Sequence, residues 1–237
     1  MEKLRGLDLE GKLVLDAGTG ACGMTKLLEK RDAKVISIDL EREYLRDCRS
    51  QTESAQFLEA DLSDLGFIKN GTFDHVICNF LISALSENRD LLISSVLREF
   101  YRVLKYKGSL VIIDYYPFEE GKNPGDLDEL QVQLWRSENA LFELLGEGHL
   151  EEISPMVLDR ELEAIGFQSS EIKTLTEEVP WPTDLLKEHE QMIRKNIEKL
   201  DEVHMKDSFT RRLKDLMESA EGKKVYSGAI YELRAKK

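Results

Sequence analysis

A glycine-rich turn between an apolar run and a helical pattern constrains this chain more than any other feature. Residues 13–28 read LVLDAGTGACGMTKLL, and Gly18, Gly20 and Gly23 satisfy the pattern G-x-G-x-x-G. That pattern is typical of nucleotide-binding turns that follow a strand and open a helix. Glycines also occur in ordinary strand-to-helix turns, because they tolerate positive φ. The turn therefore predicts a strand followed by a helix and by itself leaves the ligand open.

Short apolar runs alternate with longer helical patterns along the first 115 residues. The runs are rich in β-branched residues and predict strands, while the apolar spacing between them predicts helices. A β-α-β-α order indicates a parallel sheet covered by helices on both faces, with right-handed crossovers. The predicted strands are 12–16, 34–39, 56–60, 74–79 and 109–115, and the predicted helices lie near 22–31, 41–52 and 88–105.

The second half of the chain is less regular. A helical pattern covers 126–146, and a further helix begins at Ser154 and Pro155 and ends at Gly166. Strands are predicted at 167–175 and 225–233, and the second of these is compatible with a half-exposed antiparallel edge. The positions that indicate such an edge are Tyr226, Gly228, Ile230 and Leu233.

Residues 176–224 form a long excursion between the last two predicted strands. The excursion includes Pro180, Trp181 and Pro182 and then two amphipathic helices. Their apolar stripes must be buried against something, so we expect this segment to cover the site or to form a homodimer contact. We find no repeat and no long linker. The simplest account is a single domain, 1–237, with this helical pair inserted.

Charge and cysteine usage disfavour several classes of protein. The formal net charge of −13 repels phosphate backbones, and the basic residues at 194–214 are interleaved with acids, so we expect no nucleic-acid partner. No uncharged run approaches the length of a membrane span, so no membrane partner is expected. The three cysteines form no C-x-x-C pair and are odd in number. That usage fits a reducing compartment better than a disulfide framework and predicts a cytoplasmic protein.

The residue two positions before the first glycine of the turn is Asp16. In dinucleotide-binding folds this position is usually a small or apolar strand residue, because a pyrophosphate docks beside it. A carboxylate here would repel a pyrophosphate by about 1 to 4 kcal/mol at the effective dielectrics near a surface. The same carboxylate attracts an amine. The sequence therefore indicates a ligand in which an amino acid is joined to a nucleoside.

Two further carboxylates follow the next predicted strands. Asp39 lies 23 residues after Asp16, close to the spacing at which an acidic residue binds ribose hydroxyls. Asp61 follows the third strand, where it could accept a hydrogen bond from the exocyclic amine of adenine. Each acid has an alternative interpretation as a helix N-cap or loop residue. An aspartate at three successive strand ends favours a nucleoside site.

As a set, these motifs resemble those of class I S-adenosylmethionine-dependent methyltransferases of the kind that act on small molecules. The segments that carry the resemblance are VLDAGTG at 14–20, IDL at 38–40, ADL at 60–62, FDHVICN at 73–79 and LREFYRVLKYKGSLVI at 97–112. It covers about residues 10–117 well and 158–167 weakly. The resemblance implies an α/β fold: a Rossmann-like, doubly wound sheet of seven mostly parallel strands, the last strand antiparallel, with helices on both faces. This chain departs from it at Cys22, where many members carry glycine, and at Lys107, where many carry proline.

Transferred position by position, the resemblance implies a site for S-adenosylmethionine. Asp16 and the backbone of the glycine turn would hold the methionine part, Asp39 the ribose, and Asp61 the adenine. Side chains at the end of the fourth strand would line the pocket. The full set of expected cofactor-binding residues is Asp16, Ala17, Gly18, Thr19, Gly20, Gly23, Asp39, Leu40, Asp61, Leu62, Asn79 and Phe80.

The sequence defines the acceptor side less clearly. A sulfonium already activates its methyl group, so the protein mainly aligns a nucleophile and excludes water. Candidates for a catalytic role are Tyr115, Tyr116 and His149, and each has an alternative interpretation as a packed or solvated residue. His189 lies on an apolar helix face, where we expect it to be packed. The histidines lack the spacing of metal ligands, so we expect no metal.

The leading interpretation is methyl transfer to a small apolar or aromatic acceptor at O, N or C. Asn79 begins the stretch NFLI, whereas nucleic-acid amino-methyltransferases carry NPPY or DPPY there, which argues against a base amine as acceptor. Two alternatives stay open. One is another nucleoside-dependent transferase, such as a polyamine-synthase-like enzyme, and the other is a non-catalytic cofactor-binding or scaffold protein.

Overall fold

The computed structural model describes residues 3–86, 90–117, 129–146, 152–175, 183–221 and 229–237. The chain divides into two compact units. The sheet unit consists of Met1–Tyr116, Glu151–Leu175 and Ile230–Lys237, and the helical unit consists of Pro117–Leu150 and Thr176–Ala229. The helices in chain order are α1 (Gly23–Glu29), α2 (Arg42–Arg49), α3 (Ile82–Ser86), α4 (Asp90–Val103), α5 (Glu129–Leu145), α6 (Pro155–Ile165), α7 (Thr183–Lys199) and α8 (Val203–Ala220).

The sheet unit is built on seven strands in the order β3-β2-β1-β4-β5-β7-β6. The first five pair in parallel, and β7 is antiparallel to both of its neighbours. This arrangement confirms the predicted doubly wound α/β fold. The strands are β1 (Leu13–Ala17), β2 (Lys34–Asp39), β3 (Gln56–Glu59), β4 (Phe73–Asn79), β5 (Leu104–Tyr115), β6 (Gln168–Leu175) and β7 (Ile230–Lys236).

Both faces of the central strands are buried, which explains why these strands are continuous apolar runs rather than alternating ones. On β1, Leu15 belongs to one apolar cluster and the adjacent Val14 to the other. The first cluster includes residues of α4 and α6, such as Phe100 and Leu158. The second includes residues of α1 and of the segment that precedes β1, such as Leu4. The segment before β1 is therefore part of the core.

Local signals located α6 correctly. The Ser154 hydroxyl accepts a hydrogen bond from the Met156 backbone N–H at 3.3 Å, Pro155 is the first helical residue, and Gly166 ends the helix with a φ of 119°. Serine at the N-cap, proline in the first turn and glycine after the last turn are the pattern that the sequence showed.

The last strand is antiparallel as predicted, but the expectation that it forms an edge is wrong. β7 lies between β5 and β6, and most of its side chains are buried, with Ile230 3% and Leu233 0% exposed. The edge is instead β6, which pairs with β7 alone. The predicted strand also began at residue 225, whereas β7 runs Ile230–Lys236 and the positions of Tyr226 and Gly228 lie outside the described residues.

The helical unit contains α7 and α8, which correspond to the two amphipathic helices predicted within 176–224. Their apolar stripes pack together with α5 around a core that includes Leu134, Leu141, Ile193, Ile197, Leu213 and Leu216. The positions of Pro180, Trp181 and Pro182 lie outside the described residues. In the part of the chain that the structure describes, no helix is both long and apolar enough to cross a membrane.

Candidate functional site

The glycine turn after β1 has the left-handed backbone that its sequence predicts. Gly18 has a φ of 80° and donates its N–H to the Ile38 carbonyl at 2.9 Å. A Cβ atom on Gly18 would lie 3.0 Å from Leu81 Cδ1, so a larger residue here would also have to displace that side chain. Gly20 has a φ of 44°, and a Cβ on it would meet no described atom within 4 Å. The turn is therefore packed at Gly18 and open at Gly20.

Cys22 lies in the same turn, at the position where many members of the resembled family carry glycine. It adopts a φ of 68° as the N-cap residue of α1, and the left-handed conformation explains why glycine is common there. The structure joins Cys22 to Cys48 of α2 in a disulfide, and both residues are buried. The odd number of cysteines was therefore a poor guide to their pairing. Cys78 is free and buried.

Asp16, at the carboxyl end of β1, is fully buried. Its Oδ2 accepts hydrogen bonds from Thr25 Oγ1 at 2.6 Å and from Ser37 Oγ at 2.8 Å. Its Oδ1 has no hydrogen-bond partner among the described residues. Burial raises the pKa of Asp16 to about 6, while the two hydroxyl hydrogen bonds act in the opposite direction and the charge of Asp39 adds to the rise. A buried acceptor atom without a partner is suited to an amine donor.

Asp39 ties the end of β2 to the glycine turn. Its Oδ2 accepts the Gly20 N–H at 3.0 Å, and its Oδ1 accepts the Glu41 N–H at 3.0 Å. Each carboxylate oxygen has two lone pairs, so both can accept a further hydrogen bond from a ribose hydroxyl. The neighbouring Leu40 is 62% exposed and offers an apolar surface at the same strand end.

Asp61 lies beyond β3 and forms a local turn. Its Oδ1 accepts both the N–H of Ser63 at 2.8 Å and the Ser63 hydroxyl at 2.7 Å. Asp61 therefore stabilises its own loop, which is the alternative interpretation that the sequence left open for it. Leu62 beside it is 7% exposed and belongs to the core of the sheet unit.

Asn79 and Phe80 follow β4, and an aromatic pair forms beside them. Phe80 has a φ of 57°, donates its N–H to the Ile113 carbonyl at 2.7 Å, and stacks on Tyr115 with ring centroids 4.6 Å apart. Asn79 Oδ1 accepts a hydrogen bond from Lys3 Nζ at 2.7 Å. The sequence did not identify Lys3 as a site residue, because 76 positions separate it from Asn79.

The turn after β4 is held in place by Asp114, a second residue that sequence reasoning missed. Asp114 is 1% exposed. Its Oδ2 accepts the N–H groups of Ile82 at 2.9 Å and Ser83 at 3.2 Å, and its Oδ1 accepts that of Tyr115 at 2.9 Å. Burial raises the pKa of Asp114, and these hydrogen bonds partly offset the rise. The sequence did carry a signal for this residue, since Asp114 is an acid at the end of the apolar run VIID at 111–114.

The candidates for catalysis separate in the structure. Tyr115 lies against Phe80 at the site, whereas Tyr116 packs edge-on against Tyr231 and its hydroxyl contacts Thr174 Oγ1 at 3.1 Å. The position of His149 lies outside the described residues. His189 of α7 contacts Glu138 Oε2 of α5 through Nδ1 at 3.1 Å. Among the described side chains, no group of three or more His, Cys, Asp or Glu could hold a metal ion.

The strand order and the acid-bearing glycine turn define the class of the sheet unit, which has the fold of the class I S-adenosylmethionine-dependent methyltransferases. Residues 15–112 match the family model described as "Methyltransferase domain". This part of the chain is therefore similar to methyltransferase domains, in agreement with the sequence resemblance.

Two curated relatives align with parts of the chain. A demethylmenaquinone methyltransferase from Thermotoga maritima is 27% identical over 131 residues, which is 54% of this chain and 55% of the relative. An arsenite methyltransferase from Aquipseudomonas alcaligenes is 30% identical over 122 residues, which is 46% of this chain and 34% of the relative. The chain thus matches about half of the first relative's length and a third of the second's.

A solved structure is similar over nearly the whole chain. A SAM-dependent methyltransferase from Archaeoglobus fulgidus superposes with a TM-score of 0.56 at 18% identity, covering 96% of this chain and 86% of that one. Similarity at this level of identity shows the shared fold.

Proposed function

We propose that this protein transfers the methyl group of S-adenosylmethionine to a small-molecule acceptor. The observation that carries the proposal is Asp16, a buried carboxylate with one oxygen unpartnered among the described residues, beside a glycine turn that is open at Gly20. An ammonium group suits that oxygen, whereas a pyrophosphate would be repelled by it. The methyltransferase domain match over residues 15–112 supports the same cofactor.

The residues at the strand ends match the parts of this cofactor. Asp16 would pair with the ammonium of its amino acid, Asp39 would accept from the ribose hydroxyls, and the backbone around Gly18 and Gly20 would pack against the methionine part. Asp61 and the adjacent Leu62 would hold the adenine. Both hydrogen bonds from Ser63 go to Asp61 Oδ1, so neither occupies Oδ2, the oxygen that we expect to accept from the adenine amine. Ala17, Thr19, Gly23, Leu40, Asn79 and Phe80 complete the proposed set.

The cofactor supplies an electrophilic methyl group, so the chain's own task is to position the acceptor and exclude water. The stacked rings of Phe80 and Tyr115 at the end of β4 present an aromatic surface. That surface favours an apolar or aromatic acceptor, methylated at O, N or C. Burial and the nearby Asp114 and Glu152 raise the pKa of Tyr115. Its phenol therefore stays protonated at neutral pH and can orient an acceptor by donating a hydrogen bond.

Thermal melting tests cofactor binding directly. At about 100 times the dissociation constant, S-adenosylmethionine or S-adenosylhomocysteine should add about 2.7 kcal/mol to the free energy of unfolding. For a chain of this size that corresponds to a rise in Tm of about 5 to 11 °C. NAD is the matched control and should raise the Tm much less. Equal shifts with NAD, or no shift with either methionine compound, would contradict the proposal.

The acceptor requires a separate experiment. The two curated relatives are named for different acceptors, demethylmenaquinone and arsenite, so both compounds belong in the first assay. Incubation with methyl-labelled cofactor and fractionated cell extract, read by mass spectrometry, extends the search to other small molecules. Transfer of label to a small molecule supports the enzyme. Cofactor binding without transfer to any component would favour the non-catalytic alternative.

Two further expectations stay predictions. The segment 176–224 is proposed to cover the site or to join two copies of the chain. Deletion of 183–220 with measurement of cofactor affinity, turnover and mass tests both, and an unchanged monomer with unchanged turnover would reject both. The cytoplasmic location is likewise a prediction from cysteine usage, and the disulfide between Cys22 and Cys48 gives it no support.

A further inference from the structure

Lys3 lies at the carboxyl end of β4, 76 positions before its hydrogen-bond partner Asn79. Its Nζ donates to Asn79 Oδ1 at 2.7 Å and lies 4.8 Å from the centroid of the Phe80 ring. Both partners, Asn79 and Phe80, are residues that the sequence predicted to line the cofactor pocket. An ammonium group has three N–H donors, and the contact with Asn79 uses one of them.

The backbone around Lys3 is fixed by core residues. Leu4 is fully buried, and its N–H donates to Glu232 Oε2 of β7 at 2.8 Å. Arg31 donates from Nη1 to the Leu4 carbonyl at 2.8 Å and from Nη2 to the Lys3 carbonyl at 3.1 Å. These contacts fix the backbone from which the lysine side chain extends, so ordering of the backbone adds little to the entropic cost of binding a ligand.

The charged groups around Lys3 determine whether its ammonium can bind an anionic ligand. Burial lowers the pKa of Lys3, and the charge of Glu232 opposes that effect. Glu232 is itself matched by Arg234, whose Nε donates to Glu232 Oε1 at 2.7 Å. A partly desolvated ammonium gains more from a second anion than an exposed one does.

The proposed ligand carries two opposite charges, and the acids at the strand ends can pair with only one of them. The amino acid of the cofactor carries an ammonium and a carboxylate. The aspartates at the ends of β1 and β2 suit the ammonium and repel the carboxylate. β1 and β4 are neighbouring parallel strands, with Ala17 paired to Cys78, so Gly18 and Asn79 follow at the same edge of the sheet. Lys3 is hydrogen-bonded to that asparagine.

We infer that Lys3 binds the carboxylate of the cofactor's amino acid, while Asp16 binds its ammonium. This inference rests on the proposed function and adds a binding residue to it. The zwitterion is then held between an acid at the end of β1 and a base at the end of β4.

The test compares two ligands by titration calorimetry, S-adenosylhomocysteine and the same compound without its carboxylate. Lys3→Met keeps the apolar stem of the side chain and removes the charge. It should weaken binding of S-adenosylhomocysteine by about tenfold and of the decarboxylated compound by less than about twofold. Lys3→Arg keeps the charge and should restore most of the affinity. Lys12→Met is the matched control, because Lys12 pairs with Asp8 at 3.4 Å at the opposite end of β1, and it should change neither affinity.

Two results would overturn the inference. Equal losses for both ligands would mean that Lys3 acts through the shape of the pocket, and an unchanged affinity for S-adenosylhomocysteine would mean that Lys3 does not contact the ligand. In both cases the wild-type protein still binds S-adenosylhomocysteine. If the wild-type protein binds neither compound, the proposed function fails and this inference fails with it.

Discussion

At the scale of single residues, Asp16 shows two opposing influences on one carboxyl group. Burial raises its pKa from 3.8 to about 6, and the hydrogen bonds from Thr25 and Ser37 limit the rise. The folded protein therefore holds this proton more tightly than the unfolded chain. The contribution of Asp16 to the free energy of unfolding falls as the pH rises from about 4 to about 6, and the loss persists above that range.

Cofactor affinity should depend on pH in the opposite direction. A ligand ammonium pairs with the ionised form of Asp16, and a pKa of about 6 leaves a minor fraction ionised at pH 5 and most of it ionised at pH 7. We expect binding of S-adenosylhomocysteine to strengthen by about tenfold over that range. Asp16→Asn should bind weakly at both pH values and lose the slope. Calorimetry at pH 5, 6 and 7 measures this, and an equal slope in the variant would contradict the role of Asp16.

The open side of the glycine turn gives a second prediction. Gly20→Ala and Gly11→Ala each place a Cβ at positive φ, with no described atom within 4 Å. Each should therefore lower the free energy of unfolding by about 1 kcal/mol. The added methyl at position 20 enters space that we assign to the ligand, so Gly20→Ala should also weaken S-adenosylhomocysteine binding by about tenfold. Gly11 precedes β1 and serves as the control. Equal affinities for the two variants would place the ligand elsewhere.

At the scale of elements, the disulfide connects the glycine turn to the helix after β2. Cys22 is the N-cap residue of α1, and Cys48 lies in α2. The bond links positions 26 residues apart. It thereby restricts the unfolded chain and ties two segments that flank the proposed cofactor site.

Thiol counting tests this pairing. In denaturant without reductant, one thiol per chain should react, that of Cys78, and after reduction all three should react. Denaturant is needed because Cys78 is buried and burial raises the pKa of its thiol. Reduction should also lower the free energy of unfolding by about 3 kcal/mol. Cys78→Ser is the control and should show no reactive thiol before reduction. Three reactive thiols in the unreduced wild-type protein would contradict the bond.

The elements that could be predicted from the sequence are those with local signals. Ser154, Pro155 and Gly166 delimit α6, and the apolar runs of β1, β2 and β4 lie within one residue of the strands observed. The internal position of β7 could not be predicted, because it depends on pairing with β5 and β6 at long sequence separation. The apolar composition of a strand does not show whether the strand pairs along one edge or along both.

At the scale of the whole molecule, the residues of the proposed site also divide into those with a signal in the sequence and those placed by long-range contacts. Asp16, Asp39 and Asp61 could be predicted together, because parallel strands place their carboxyl ends at one edge of the sheet. Lys3 and Asp114 could not, because each reaches the site through contacts that the chain order does not reveal. The division into a sheet unit and a helical unit was also only partly visible, since the helix predicted at 126–146 gave no sign that it packs with α7 and α8.

A crystal structure of the protein with S-adenosylhomocysteine tests the central claim most directly. We expect the nucleoside to lie across the carboxyl ends of β1, β2 and β3. Its ammonium should be within hydrogen-bond distance of Asp16 and its ribose hydroxyls within that distance of Asp39. Density for the compound at another surface, or empty strand ends at saturating ligand, would contradict the account.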